Sequence, residues 1–388
     1  MNVMRAAPTH KLYTPGPVEI PLRVSLAGAY VSYHHRTPAF SSILLPMLQQ
    51  MQALFGTQAA VLPVHTTGRG ALEGAYANLF SAASDHVLVV TNGNFGDMAA
   101  STLRKMGMPL STYLDDWTKD VDVQELEQLL VSSGATGLVV VHNDTSNAMV
   151  NPISDICALA QRHGVLTIVD AVSSIGAMPF YMDRWGVDVV VTSSQKGLMS
   201  PPGLAFAVLG PRAWQKAEAE AGQTTGSYIN FQAIAKSLEK GETPGTTPVS
   251  LVLSVAEAVQ MIHEEGLEAC YTRHGALAAA TRAAFTALGF PAFPLQARHR
   301  SEALSCYGLL PNMESEVLVE HLAAKYGLLI SSGLGAYAKS TLRISNMGAL
   351  TISDMLLLVT ALEASLRELG FPVTMGTGTT AFMDAYAR

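Results

Sequence analysis

The sequence predicts an α/β protein, with a large domain on a mostly parallel sheet and a smaller C-terminal α+β domain. Three observations carry this. Five short, valine-rich apolar runs of strand length lie between residues 86 and 209. Segments with helical spacing separate several of them. From about residue 250 the pattern changes to long helices, short strands and a last helix. Near-continuous apolar runs mark strands buried on both faces, and strand–helix alternation marks parallel crossovers. The 388 residues, 49% hydrophobic and 14% charged, suffice for two domains around a large core.

The runs are His86–Val90 (HVLVV), Gly137–His142 (GLVVVH), Val165–Asp170 (VLTIVD), Val187–Thr192 (VDVVVT) and Leu204–Leu209 (LAFAVL). Ala71–Phe80 reads as a helix behind a glycine-rich turn. Asp122–Ser132 reads as a helix with an acidic start. Ile153–His163 follows Asn151-Pro152 and stops before Gly164, as helices do. Further on, Ser250–Glu265 and Leu267–Leu288 read as long helices, the second closed by Gly289. Ala303–Leu309 looks like a strand, residues 316–325 a helix, Leu328–Ser332 and Thr341–Ser345 short strands, and 351–369 a final helix. This divides the chain into an N-terminal segment 1–20, a large domain 21–250 and a small domain 251–388.

Composition narrows the function. The net charge is −7, and no basic stripe with interleaved aromatics occurs, which argues against nucleic acid. Cys157, Cys270 and Cys306 are too far apart for a disulfide framework or a metal cluster, and they point to a reducing compartment. Met1–His10 makes a poor signal peptide, no run of about 18 apolar residues suggests a membrane span, and Tyr386-Ala387-Arg388 is no peroxisomal tripeptide. The expected compartment is the cytoplasm.

Ligands of open parallel sheets sit beyond the carboxyl ends of the strands. Thr91-Asn92-Gly93-Asn94-Phe95-Gly96 follows the first run, and His142-Asn143-Asp144-Thr145-Ser146 follows the second. The third ends in Asp170-Ala171-Val172-Ser173-Ser174, and the fourth leads into Ser193-Ser194-Gln195-Lys196-Gly197. An aromatic ring, hydroxyls, an aspartate and a lysine thus share one edge. Alone, Asp170 reads as a turn or cap residue and Lys196 as a solvated loop lysine. Together they match what pyridoxal phosphate needs: an amine for the aldehyde and an anion for the pyridine nitrogen. Its phosphate needs N–H groups at a helix start, which Thr66-Thr67-Gly68-Arg69-Gly70 can supply. Gly93-Asn94-Phe95-Gly96 lacks the full dinucleotide fingerprint and its acidic residue about 20 positions later.

These residues resemble the class V aminotransferases of pyridoxal-phosphate fold type I, nearest the alanine–glyoxylate and serine–glyoxylate enzymes. The resemblance spans nearly the whole chain. It runs from Leu12-Tyr13-Thr14-Pro15-Gly16-Pro17 through Val169–Ser174, Ser193–Lys196 and Pro201-Pro202-Gly203-Leu204 to Ser331-Ser332-Gly333-Leu334-Gly335 and Leu342-Arg343-Ile344. It implies a large domain with a seven-stranded, mostly parallel sheet. It implies Lys196 as the Schiff-base lysine and Asp170 as partner of the pyridine nitrogen. Phe95 would stack on the ring, and Thr145 would lie near the ring hydroxyl. Thr66, Thr67, Gly68 and Gln195 would hold the phosphate, joined by Thr246, or its neighbour Thr247, from a second subunit of a homodimer. Arg343 and Gly16 fall in the substrate site, where a guanidinium takes a carboxylate bidentately. The implied activity is ping-pong transfer of an amino group from an alanine- or serine-type donor to glyoxylate or pyruvate.

Some positions depart from the family pattern. His65 and Arg69 replace small residues around the phosphate turn, and Arg69 either adds a phosphate contact or faces solvent. Asn143-Asp144 stands where Gly-Glu is frequent, and Tyr33-His34-His35-Arg36 sits at the substrate entrance. His34 and His35 either guide a carboxylate or are polar loop residues; His142 reads as a hydrogen-bonded core histidine. These departures leave open related transaminases with 2-aminoethylphosphonate, ureidoglycine or pyridoxamine as donor. A cysteine desulfurase-like lyase would need a mobile nucleophilic cysteine, and all three cysteines fall in expected strands or helices. A non-catalytic cofactor-binding protein would not need both Lys196 and Asp170.

Overall fold

The computed structural model describes residues 10–30, 33–220, 228–295 and 298–387. Residues 1–9 and Arg388, on which the targeting expectations rest, lie outside them. In chain order the elements are β1 (Lys11–Leu12), α1 (Leu22–Tyr30), α2 (Pro38–Phe55), β2 (Val61–Val64), α3 (Gly68–Leu79), β3 (Val87–Val90), α4 (Asn94–Lys105) and β4 (Leu110–Tyr113). Then come α5 (Val123–Ser133), β5 (Gly137–Val141), β6 (Asn143–Asp144), β7 (Met149–Val150), α6 (Ile153–Arg162), β8 (Leu166–Asp170), α7 (Met182–Trp185), β9 (Val189–Ser193) and β10 (Ala205–Leu209). After them follow α8 (Pro211–Ala219), α9 (Phe231–Leu238), α10 (Val249–Glu265), α11 (Leu267–Ala287), β11 (Leu304–Gly308) and α12 (Ser315–His321). The chain closes with β12 (Leu328–Leu329), β13 (Ser331–Ser332), β14 (Thr341–Ser345), α13 (Ile352–Glu368) and α14 (Thr377–Tyr386).

Among the described residues, seven strands form the main sheet in the order β2-β10-β9-β8-β5-β3-β4. All neighbours are parallel except β10, which runs antiparallel to β2 and β9. Alternation along each strand divides the apolar residues between two faces. Leu88, Val90, Leu138 and Val140 join the core under α2, α5, α6 and α10. Val87, Val89, Val139 and Val191 join the core under α3, α4, α8 and α9. A strand buried on both sides has no polar position to spare, so these segments read as continuous apolar runs. A third core gathers Leu277, Phe285, Tyr307, Leu342, Leu358 and Phe382 around the small sheet β11-β14-β13.

Several segments differ from the sequence expectation. The strand expected over Leu328–Ser332 is two: β12 pairs with β1 in parallel, and β13 pairs with β14 antiparallel. The helix expected over 316–325 ends at His321 and continues as a π turn over Leu322–Tyr326. The two outer strands were not expected. β2 carries Pro63, tolerated because it lies at the sheet edge, and the opposite edge strand β4 carries Ser111 and Thr112. β4 is only partly covered, so it lacks the apolar signal of a central strand; β2 is buried, but it is four residues long and a proline interrupts its run.

Helix α14 was also unexpected, because TGTTAFMDAY is poor in strong helix formers. Packing and one buried acid hold it. Phe382 is fully buried, and Gly378 lies so close to Leu288 that a Cβ would stand 2.8 Å from its Cδ1. Glu363 of α13 accepts from the N–H groups of Gly376 (3.0 Å), Gly378 (2.5 Å) and Thr379 (3.2 Å) and from the Thr379 hydroxyl (3.2 Å). A carboxylate at a helix start satisfies orphan donors and the helix dipole together. Among the described residues no helix is long and apolar enough to cross a membrane. Glu363→Ala is expected to destabilise the protein by about 2–4 kcal/mol, since three N–H groups, that of Gly378 buried, lose their acceptor. Limited proteolysis would cut near residues 370–376; an unchanged urea midpoint and cleavage pattern would refute this account.

Candidate active site

Parallel strands aim their carboxyl ends at one edge, and the site is built there from loops. Asp170 is the last residue of β8, and Lys196 follows β9 by three residues. Both are buried and line one cavity of roughly 240 Å³ together with Thr67, Gly68, Arg69, Phe95, Val172 and Gln195. Thr67 and Gly68 open α3, whose Thr67 N-cap residue makes no side-chain cap bond, so the first N–H groups stay open to an anion. Gly68 must lack a side chain: a Cβ would stand 2.6 Å from Val172 Cγ2 and 3.1 Å from Ser193 Oγ.

The Lys196 ammonium donates to the Pro15 carbonyl oxygen, and its Nζ sits 5.8 Å from the centre of the Phe95 ring. Gly16 has a φ of +133° and lies against the lysine; a Cβ there would meet Lys196 Cδ at 2.4 Å. Only glycine adopts that backbone and leaves room for the amine. Burial pulls the lysine down to about 8, helped by the Arg343 charge, against the attraction of Asp170 and Asp144. Burial pushes Asp170 up to about 6, opposed by the Val172 N–H, which donates to Asp170 Oδ1 at 2.9 Å.

Arg343 reaches the site from β14 of the small sheet. Its Nε donates to the Ser332 carbonyl (2.8 Å) and its Nη1 to the Thr145 carbonyl (3.1 Å). Burial lowers its pKa, and it makes no ion pair among the described residues. A buried guanidinium without a carboxylate is suited to an incoming one.

Not every expected residue lines the cavity. Thr66 lies just outside it, with Oγ1 standing 2.1 Å from where a Gly70 Cβ would be. Arg69 is exposed yet lines the cavity, so the two alternatives for it are not exclusive. Thr246 lies in a separate cavity with His65, Tyr228 and Thr243. Thr247 is buried, its hydroxyl 2.6 Å from that of Thr243, whereas Thr246 is exposed. The rings of His34 and His35 lie 4.8 Å apart, tilted by 32°, and both residues accept hydrogen bonds from Arg36. His142 is corrected: it packs edge-on against Phe180 (5.4 Å) and Trp185 (5.5 Å), its Nδ1 has no hydrogen-bond partner, and burial lowers it to about 3.

The sequence reading missed the cavity wall. Leu72 and Tyr76 follow Gly68 at helical spacing on α3, and Met98, Ala99 and Thr102 follow Phe95 on α4. Projecting each known residue one and two turns along its helix would have found them.

The residues present fit pyridoxal phosphate. Tyr76 Oη and Gln195 Oε1, of residues on the cavity wall, are buried without protein partners and so are available to a ligand. The lysine, the carboxylate, the open helix start and the aromatic face complete the set. No group of three or more metal-ligating side chains occurs among the described residues.

Comparison with known proteins agrees. The family described as Aminotransferase class-V matches residues 24–358. The L-aspartate–glyoxylate aminotransferase of Paracoccus denitrificans is 31% identical over 386 residues, covering 97% of this chain and 96% of that protein. The serine–glyoxylate aminotransferase of Methylorubrum extorquens is 30% identical, covering 100% and 98%. The crystal structure of ureidoglycine–glyoxylate aminotransferase from Bacillus subtilis superposes with a TM-score of 0.92 at 25% identity, covering 99% of each chain. The chain belongs to the class V aminotransferases, transferases of fold type I that depend on pyridoxal phosphate.

Proposed function

We propose that the protein moves an amino group from a small amino acid of the alanine or serine type to a small 2-oxo acid, glyoxylate or pyruvate. The observation that carries this is Arg343: a buried guanidinium, fixed by two carbonyls and without a protein carboxylate, at the edge that holds Lys196. Donor and acceptor would share the carboxylate it binds. Glyoxylate is in the names of all three proteins compared above, which favours it as acceptor. Their donors differ, and the ureidoglycine enzyme's likeness over 99% of the chain supports a second reading in which the donor is not an α-amino acid of this type. A desulfurase reading is disfavoured, because Cys157, Cys270 and Cys306 are buried and burial pushes each thiol up to about 12.

When bound, pyridoxal phosphate supplies an electron-sink ring that stabilises charge developing at a substrate α-carbon. Thr67, Gly68 and Gln195 would hold its phosphate, Asp170 its ring nitrogen, and Phe95 and Val172 would lie against it. Lys196 would be its point of attachment. Once displaced, the Lys196 amine carries the proton away from the α-carbon and returns it, and a group that titrates near the working pH suits both directions. Arg343 orients the substrate so that this proton faces Nζ. Two half-reactions at one site give ping-pong kinetics. We further propose a homodimer in which the exposed Thr246 of one subunit completes the phosphate site of the other. Leu22 (73% exposed), Leu26 (57%) and Tyr228 (78%) are apolar side chains that such a contact would cover.

The donor is tested by mixing the cofactor-loaded protein with single amino donors. Alanine or serine should discharge the visible absorbance; if ureidoglycine alone does so, the second reading replaces the first. In Arg343→Ala the KM for carboxylate substrates should rise about 10²-fold or more, as a charge-assisted pair is lost. An unchanged KM would remove Arg343 from the site. Attachment of pyridoxal phosphate to the apoprotein should speed up as pH rises through about 8, because only the neutral Lys196 amine attacks the aldehyde. A midpoint near the ordinary lysine value, or attachment surviving in Lys196→Ala, would contradict the assignment. A fully active monomer in sedimentation would exclude the shared site.

A further inference from the structure

Asp144 is a second buried acid at this sheet edge, and the chemistry above does not use it. It is 1% exposed and ends β6, directly after β5. Its Oδ2 accepts from the Phe95 N–H at 3.0 Å. Its Oδ1 accepts from the Ser146 N–H at 2.9 Å and the Ser146 hydroxyl at 2.6 Å. The Ser146 oxygen in turn accepts from the Asn94 N–H at 3.0 Å. The acid and the serine therefore satisfy the first two N–H groups of α4, those of Asn94 and Phe95, which have no acceptor inside the helix. The N-cap residue is Gly93, which has no side chain to do so, and a Cβ there would stand 2.3 Å from the carboxylate. Burial pushes Asp144 up, against three donors and a helix start aimed at its carboxylate.

Phe95 is the second residue of α4, so its ring stands where that first turn is pinned. We propose that Asp144 is a positioning residue for the transfer reaction: through the start of α4 it sets the Phe95 ring over the Lys196 amine, and its charge favours a cation there. The inference rests on Lys196 being the cofactor's attachment point. Lys196 and Asp170 are within electrostatic reach of Asp144, as are Arg343 from β14 and Asp97 from α4. Asp144 and Asp170 together offset the two buried cations, so neutralising Asp144 leaves the amine facing Arg343 with less compensation.

The test uses the cofactor-loaded wild type, Asp144→Asn and Asp144→Glu, and follows the pH midpoint of the visible absorbance of the lysine-bound cofactor. Asp144→Asn should lower that midpoint by about 0.5–1 unit, because an attractive charge near a cation is lost. Its kcat should fall about tenfold with the donor KM changed less than about twofold. Asp144→Glu, which keeps the charge, should hold the midpoint near that of the wild type. An unmoved midpoint in folded Asp144→Asn overturns the proposal, even if thermal stability drops, because a purely structural cap would act that way. Should Asp144→Asn not fold, Ser146→Ala should raise the Kd for pyridoxal phosphate about three- to tenfold; an unchanged Kd overturns the proposal. Survival of the absorbance in Lys196→Ala would instead remove the underlying assignment.

Discussion

Two cations and two acids are buried together at the carboxyl edge of the main sheet: Lys196, Arg343, Asp170 and Asp144. Isolated in a protein interior, any of them would be costly, since burial penalises each charged form by several kcal/mol. As a group they are formally neutral. Desolvation still outweighs attraction at Lys196 and Asp170, which draws both toward the pH range where proteins work. Proton transfer at a substrate carbon needs that balance. The surrounding structure keeps the four groups buried and within electrostatic reach of one another.

Three of the four are held by separate parts of the chain, and Asp144 by its bonds to Phe95 and Ser146. Asp170 ends a central strand, so it cannot move without breaking the ladder between β5 and β9. Lys196 is held from the N-terminal side by the Pro15 carbonyl and by the space at Gly16. Arg343 comes from the small sheet and is tied to the large one through the Thr145 carbonyl. That bond joins the C-terminal part of the chain to the sheet edge, so movement between them would carry the Arg343 guanidinium with it. Buried asparagines support the same loops: Asn92 and Asn151 bond each other, and Asn147 donates to the carbonyls of Asn92 and Trp117.

Much of this was legible in the sequence. The central strands were, because burial on both faces leaves an apolar run that needs no context to read. The places of Asp170, Lys196 and Phe95 were, because residues directly after such runs must lie at the sheet edge; the Thr67-Gly68 turn was, because it is a glycine-rich stretch before a helical segment. Edge strands β2 and β4 were not: proline and hydroxyl residues break the signal. Helix α14 was not either, because its stability comes from Glu363, Leu288 and the burial of Phe382 rather than from local preference.

The sequence by itself determined which groups the chain carries: an amine, an acid, a glycine-rich turn before a helix and a guanidinium, in an order that identifies the family. Local pattern suffices there because each residue type has few other uses at a strand end. Tertiary structure alone decided which of these meet. It left Thr246 in another cavity, committed Thr247 to Thr243, and packed His142 between aromatic rings. It also brought Asp144 to the start of α4, 49 residues from Phe95. Such contacts depend on how strands order in the sheet, and strand order is set by packing across the whole chain rather than by any segment of it.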